Sequence, residues 1–203
     1  MKQVLLFSVV AAVSLISCKK NTIETPVPVE ATGEFSRSLQ FPNQNDLIKF
    51  AHYNEDSIHE MRATIGEGKL WLIFNAAPTR NNSSGDAIAF TIDASHVGSG
   101  LVGSYDYVNT NFRIVSTRYT YTFKNNDGDI NGSILDLSMG VHYTGILTIL
   151  KYDVSRKLVS GTYDIYAKDL INDPTKHTPT SPIDPADYCH LHIEGNFTNV
   201  KIE

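Results

Sequence analysis

Cysteine is nearly missing from this chain. Its 203 residues contain two, Cys18 and Cys189, so one disulfide is the most it can form and stability has to come from a packed core. Positive charge is scarce as well. Lys and Arg number 17 against 22 Asp and Glu, a net charge of −5, and with no basic stripe a nucleic-acid partner is not expected. No apolar run is long enough to cross a bilayer: the stretch from Val4 to Ile16 covers 13 positions, where a spanning helix needs about 20. There is no Gly-x-Ser-x-Gly elbow and no Gly-rich loop opening a helix. Nucleophilic hydrolysis and phosphate cradling therefore lack their usual scaffolds, and the expectation is a noncatalytic protein without a cofactor.

The N-terminus carries the parts of an export signal. Lys2 supplies the positive start, Val4 to Ile16 the apolar centre, and small residues precede a cleavage point. The tetrapeptide Leu15-Ile16-Ser17-Cys18 resembles the bacterial lipobox. That resemblance implies a signal peptide over residues 1–17, removal of this leader, a diacylglyceryl group on the Cys18 thiol and an acyl chain, such as palmitate, on the new amino group. Each buried methylene contributes about 0.8 kcal/mol, and two or more chains anchor stably where one does not. With Cys18 acylated, only Cys189 remains as a thiol. The order Lys19-Lys20-Asn21 after the cysteine is similar to lipoproteins of the Bacteroidota, which implies a lipid-anchored protein of the bacterial outer membrane. Surface display in that group goes with acidic residues at these positions, and Lys19 and Lys20 depart from that, so the periplasmic and surface faces both stay open. The resemblance implies the bilayer as a partner, through Cys18; an envelope protein or glycan is a further expected partner.

Residues 18–33 contain Pro26 and Pro28 with almost no apolar periodicity, which predicts an extended tether of about 3 Å per residue. Residues 34–203 form the body, long enough for one domain. Its dominant period is two, clearest in Arg118-Tyr119-Thr120-Tyr121-Thr122-Phe123-Lys124, where aromatic and polar side chains alternate. Further strands are expected at Phe35 to Phe41, Ile58 to Ile65, Lys69 to Phe74, Ala87 to Ile92, Val102 to Tyr107, Ile134 to Met139, Gly145 to Tyr152, Leu158 to Ala167 and Tyr188 to Ile202. Turn chemistry separates them, as in Gly66-Glu67-Gly68 and Asn126-Asp127-Gly128. Only Asn45 to Asn54 suits a helix as well as a strand. These readings predict a single all-β domain, either an antiparallel β-sandwich or a flattened, calycin-like barrel.

An internal echo runs through the body. Leu101-Val102-Gly103-Ser104-Tyr105-Asp106 resembles Leu158-Val159-Ser160-Gly161-Thr162-Tyr163-Asp164 with one residue inserted, and the shared Gly-Ser/Thr-Tyr-Asp reads as packing, because Gly lets a ring or backbone approach closely. The C-terminal third, from Thr144-Gly145-Ile146-Leu147-Thr148-Ile149 through Ser160-Gly161-Thr162-Tyr163 to Gly195-Asn196-Phe197, is similar to uncharacterised lipoproteins of the Bacteroidota. That family brings no activity to carry over.

Two sets of side chains have metal-ligand character. Asp127, Asp129 and Asn131 stand at positions 1, 3 and 5 of a calcium-loop pattern with Gly132 at 6, but position 12 is Ser138 rather than Glu; the same residues also suit a polar hairpin loop. His190, His192 and Glu194 fall on one face of a strand, a spacing that can serve zinc, while Cys189, Leu191, Ile193 and Phe197 mark the opposite face as buried, so the polar row can equally be the solvent side. Asp56-Ser57-Ile58 matches a short O-glycosylation pattern of the Bacteroidota. The segment Asp169 to Asp187, with Pro174, Pro179, Pro182 and Pro185, is long for a loop inside a compact domain. Aromatics such as Trp71, Tyr105, Tyr107, Phe112, Tyr119 and Tyr121 would suit sugar or protein contact if exposed, though alternation assigns most of them to the core. Two functions follow: a noncatalytic envelope domain binding a partner or ligand, or a barrel carrying a small apolar ligand in its lumen.

Overall fold

The computed structural model describes residues 29–76, 84–93, 95, 100–108, 115–124, 127, 129–136, 142–170, 172–176 and 184–203. Cys18 with its leader and most of the tether, Phe112, Met139 and the centre of the proline-rich segment lie outside the described residues. Eleven strands appear among the described residues: β1 (Thr32–Phe41), β2 (Leu47–Tyr53), β3 (Glu60–Gly66), β4 (Lys69–Asn75), β5 (Ser84–Asp93), β6 (Gly103–Val108), β7 (Val115–Lys124), β8 (Ile130–Asp136), β9 (His142–Asp153), β10 (Leu158–Leu170) and β11 (Cys189–Lys201). They form two sheets, ordered β2-β1-β11-β10-β9-β6 and β3-β4-β5-β7-β8. All strand pairs are antiparallel. The fold is a β-sandwich.

Alternation explains why the two sheets pack face to face. In β1, Phe35, Arg37, Leu39 and Phe41 are buried while Glu34 is exposed and Ser36, Ser38 and Gln40 are half-buried on the other face. Aromatic rings from both sheets meet in the middle: Phe74 lies 5.1 Å from Tyr163 and 5.1 Å from Phe197, and Phe90 lies 4.9 Å from Tyr163, centroid to centroid. Each such side chain contributes about 1.5–3 kcal/mol by leaving water.

The barrel expectation is therefore corrected. A barrel needs its edge strands hydrogen-bonded to close the ladder, whereas β2 and β6 bound one sheet and β3 and β8 the other. The sheets touch through backbone at one corner, where Ala63 bridges Ile202 and the Glu203 amide donates to the Ala63 carbonyl over 2.9 Å. Rings fill the space where a lumen would be. The ambiguous segment 45–54 is resolved as strand: Asn45 and Asp46 take the left-handed region at φ 54° and 56°, which short polar side chains tolerate, and turn the chain so that β2 runs back along β1.

The internal echo has a structural counterpart. Gly103, Ser104, Tyr105 and Asp106 of β6 face Ile149, Thr148, Leu147 and Ile146 of β9, and Gly161, Thr162, Tyr163 and Asp164 of β10 face the same four residues from the other side. The packing role holds for the second copy. A Cβ on Gly161 would stand 2.7 Å from Cζ of Phe197, and one on Gly195 would stand 2.6 Å from the Tyr163 hydroxyl, so each glycine makes room for the ring on the neighbouring strand.

Candidate functional site on the open face of the six-stranded sheet

The inner faces are committed to the core, which leaves the outer face of the six-stranded sheet to present polar groups. Its register sets one continuous row across six strands: His52, Ser36, Glu194, Asp164, Ile146 and Asp106. On one side lies the row Glu34, Asn196, Thr162, Thr148, Ser104. On the other lie Phe50, Ser38, His192, Tyr166 and Thr144. Phe50 is 65 % exposed and Ile48 beside it 59 %, so this face offers apolar surface as well as hydrogen-bonding groups.

A depression of about 340 Å³ opens where the first two rows meet, lined by Glu34, His52, Thr162, Asp164, Glu194 and Asn196 with Ile146 at its edge. Asn196 Nδ2 donates to Glu34 Oε1 over 2.9 Å, Ser36 Oγ and His52 Nδ1 are 3.1 Å apart, and His192 Nε2 lies 3.1 Å from Asp164 Oδ1. Carboxylates, an amide, hydroxyls and the His52 imidazole thus converge from four strands. That set can bind a polyhydroxylated ligand or a cation.

The zinc-type candidates are divided by the structure. Among the described residues, the grouping able to hold a metal is Asp164, His192 and Glu194, with their ligand atoms all within 4.8 Å of one another. His190 is not part of it: its Nδ1 accepts from the Asp169 amide over 3.2 Å, and its ring packs on Tyr166 at 6.2 Å. Sequence reasoning missed Asp164, although it is the last residue of the echoed Gly-Thr-Tyr-Asp, because the cross-strand register that sets it opposite Glu194 is not written locally. Asp127 and Asp129 are exposed in the connection between β7 and β8, and Asn131 is the second residue of β8, opposite Phe123. The Cys189 thiol is buried and pushed up to about 12 by desolvation, so it is a neutral core group at physiological pH. Tyr105 and Tyr119 are buried, as alternation predicts.

A second polar cluster, also missed, lies between the sheets. Asp86 on β5 is fully buried and accepts hydrogen bonds from Tyr53 over 2.5 Å, from Tyr119, and from Arg37 Nε and Nη2 at 3.4 and 3.3 Å. Arg37 also donates to the Lys49 carbonyl over 2.9 Å and lies over the Tyr121 ring. Burial works against the Arg37 charge, but Asp86 beside it leaves its pKa raised; burial first and Asp86 second push the Tyr119 hydroxyl well up. Parity was the available signal. Asp86 shares its face with Ile88, Phe90 and Ile92, and Arg37 with Phe35 and Leu39.

The described ends of the proline-rich segment are tied down. Asp173 is buried and accepts from Lys49 Nζ over 2.5 Å, and the same ammonium reaches Thr175 Oγ1 over 3.1 Å. Lys176 pairs with buried Asp187, and Asn43 Nδ2 donates to the Pro185 carbonyl over 2.8 Å. Burial alone would raise the Asp173 carboxyl, yet hydrogen bonds from Lys49 and Thr175 outweigh it and hold the pKa below its ordinary value. A depressed carboxyl contributes stability that is complete above its unfolded pKa and is lost as pH falls through the folded one. Lys49→Met is therefore expected to raise amide hydrogen exchange across residues 172–176 at neutral pH, and the wild-type segment to loosen in the same way only on acidification below about pH 4. Equal exchange in the two proteins at pH 7 would show that the segment does not depend on this anchor.

Compared with protein-family models, curated proteins and solved structures, the chain matches none. No described helix is long and apolar enough to cross a membrane.

Proposed function

We propose that this chain is an outer-membrane lipoprotein, anchored through acylated Cys18, whose noncatalytic β-sandwich binds a glycan or another polar envelope partner on the open face of its six-stranded sheet. The observation that carries the reading is the depression at Glu34, His52, Thr162, Asp164, Glu194 and Asn196. Sugar hydroxyls need paired donors and acceptors at close spacing, which the amide, hydroxyl and carboxylate rows supply, and a flat apolar neighbour, which Phe50 and Tyr166 offer. The lipobox resemblance supports the anchor, and the tether supplies reach. An apolar cargo is disfavoured by the ring-filled interior.

The test presents the full-length chain, labelled with palmitate and held in lipid vesicles, to an array of bacterial and plant polysaccharides. Saturable retention that falls at least tenfold in the double variant Thr162→Ala/Asn196→Ala, with the melting temperature unchanged, is the expected result. Retention indifferent to the double variant would overturn the site, and palmitate uptake persisting in Cys18→Ser would overturn the anchor.

A further inference from the structure

Asp164 and Glu194 are directly opposed across β10 and β11. Like charges set opposite one another in a sheet repel, and among the described residues no Lys or Arg forms an ion pair with either. What stands beside them is an imidazole. His192, diagonal to Asp164 in the register, brings Nε2 to 3.1 Å from Asp164 Oδ1, and its ring is held edge-on against Tyr166 at 6.2 Å.

We infer that Asp164, His192 and Glu194 form a three-ligand site for a divalent transition ion of the zinc type. The donor set selects the ion: one neutral imidazole with two carboxylates suits zinc and its neighbours, whereas calcium and magnesium take oxygen ligands alone. Zinc bonds of about 2.0–2.2 Å place tetrahedral ligands about 3.4 Å apart. The His192 to Asp164 separation is already close to that edge, and the remaining ligand atoms lie within 4.8 Å of one another, carried by the exposed Asp164 and Glu194 and the half-buried His192. The ion sits between His192 Nε2 and Asp164 Oδ1 and cancels the two facing negative charges. Three protein ligands leave the fourth position to water, on the side where Asp164 and Glu194 line the depression. This site differs from the His190, His192, Glu194 set that the sequence spacing suggests, and it does not depend on what else the face binds.

Titration of zinc, and of cobalt for its visible spectrum, into the metal-free full-length chain in detergent tests the site. The expected result is one ion per chain, bound at least tenfold more weakly by each of Asp164→Asn, His192→Gln and Glu194→Gln, with affinity unchanged in His190→Ala. All four positions are on the solvent face, and unchanged melting temperatures without metal would verify that the variants fold. No saturable uptake below millimolar zinc would overturn the inference. So would uptake indifferent to the three substitutions, or lost equally in His190→Ala.

Discussion

Replacing Asp86 by Ala lowers the stability of the sandwich by about 3–5 kcal/mol, read as a fall in the urea midpoint at pH 7 with little change in slope. The cost is not the value of one contact. Asp86 and Arg37 have side chains 0 % and 6 % exposed, so removing the carboxylate leaves a guanidinium between the sheets with no counter-charge, and the Tyr53 and Tyr119 hydroxyls lose their common acceptor. Both consequences are desolvation penalties without compensation. Replacing the pair together distinguishes this account from simple loss of packing: Arg37→Met/Asp86→Leu substitutes apolar volume for both charges and is expected to recover most of the loss, because a buried ion pair and a well-packed apolar pair have similar net stability. A single variant within about 1 kcal/mol of wild type, or a double variant no better than the single, would refute the role assigned to Asp86.

Phe74→Ala is the second large effect, expected at about 3–5 kcal/mol by the same measurement. The ring is 1 % exposed and touches the rings of Phe90, Tyr163 and Phe197, so it joins β4 to β5 in its own sheet and to β10 and β11 in the other. Truncation removes the transfer free energy of the ring, opens a cavity among side chains whose positions are fixed by Gly161 and Gly195, and forfeits edge and tilted ring contacts worth about 0.5–1.5 kcal/mol each beyond their area. Phe74→Leu, which keeps most of the volume, should cost distinctly less. If the two variants lose equally, the ring contacts and not the volume hold the layers together.

How far the sequence carries these conclusions depends on whether a property is local. Strand parity is local, so the inward rings of Phe74, Phe90, Tyr119 and Phe197 and the solvent side of His192 and Glu194 are readable from alternation. Segment 45–54 is ambiguous because Leu47, Ile48, Phe50 and Ala51 satisfy both periods, and only pairing with β1 decides between them. The choice of sandwich over barrel depends on whether edges meet, which no single strand encodes. The metal candidate shows the same division: the spacing of His192 and Glu194 is sequence, but exchanging His190 for Asp164 needed the register of β10 against β11. Arg37 and Asp86 are a different case. Each breaks the apolar parity of its strand, so two opposite charges on inward faces were visible, and what was lacking was the knowledge that the two strands come together.

The strand order also constrains time. β11, last of the eleven, lies between β1 and β10, and its register sets Gly33 opposite Phe197. A chain that emerges N-terminus first must carry β1 and β2 as an isolated hairpin, marginal in water by itself, until β11 arrives to seat it. The loop closed by that pairing spans nearly the whole body, and distant pairings of this kind are slow to form. A chain of this topology is thus most vulnerable before its final strand is in place, when the hairpin and the edge of β10 are both open to pairing with other chains.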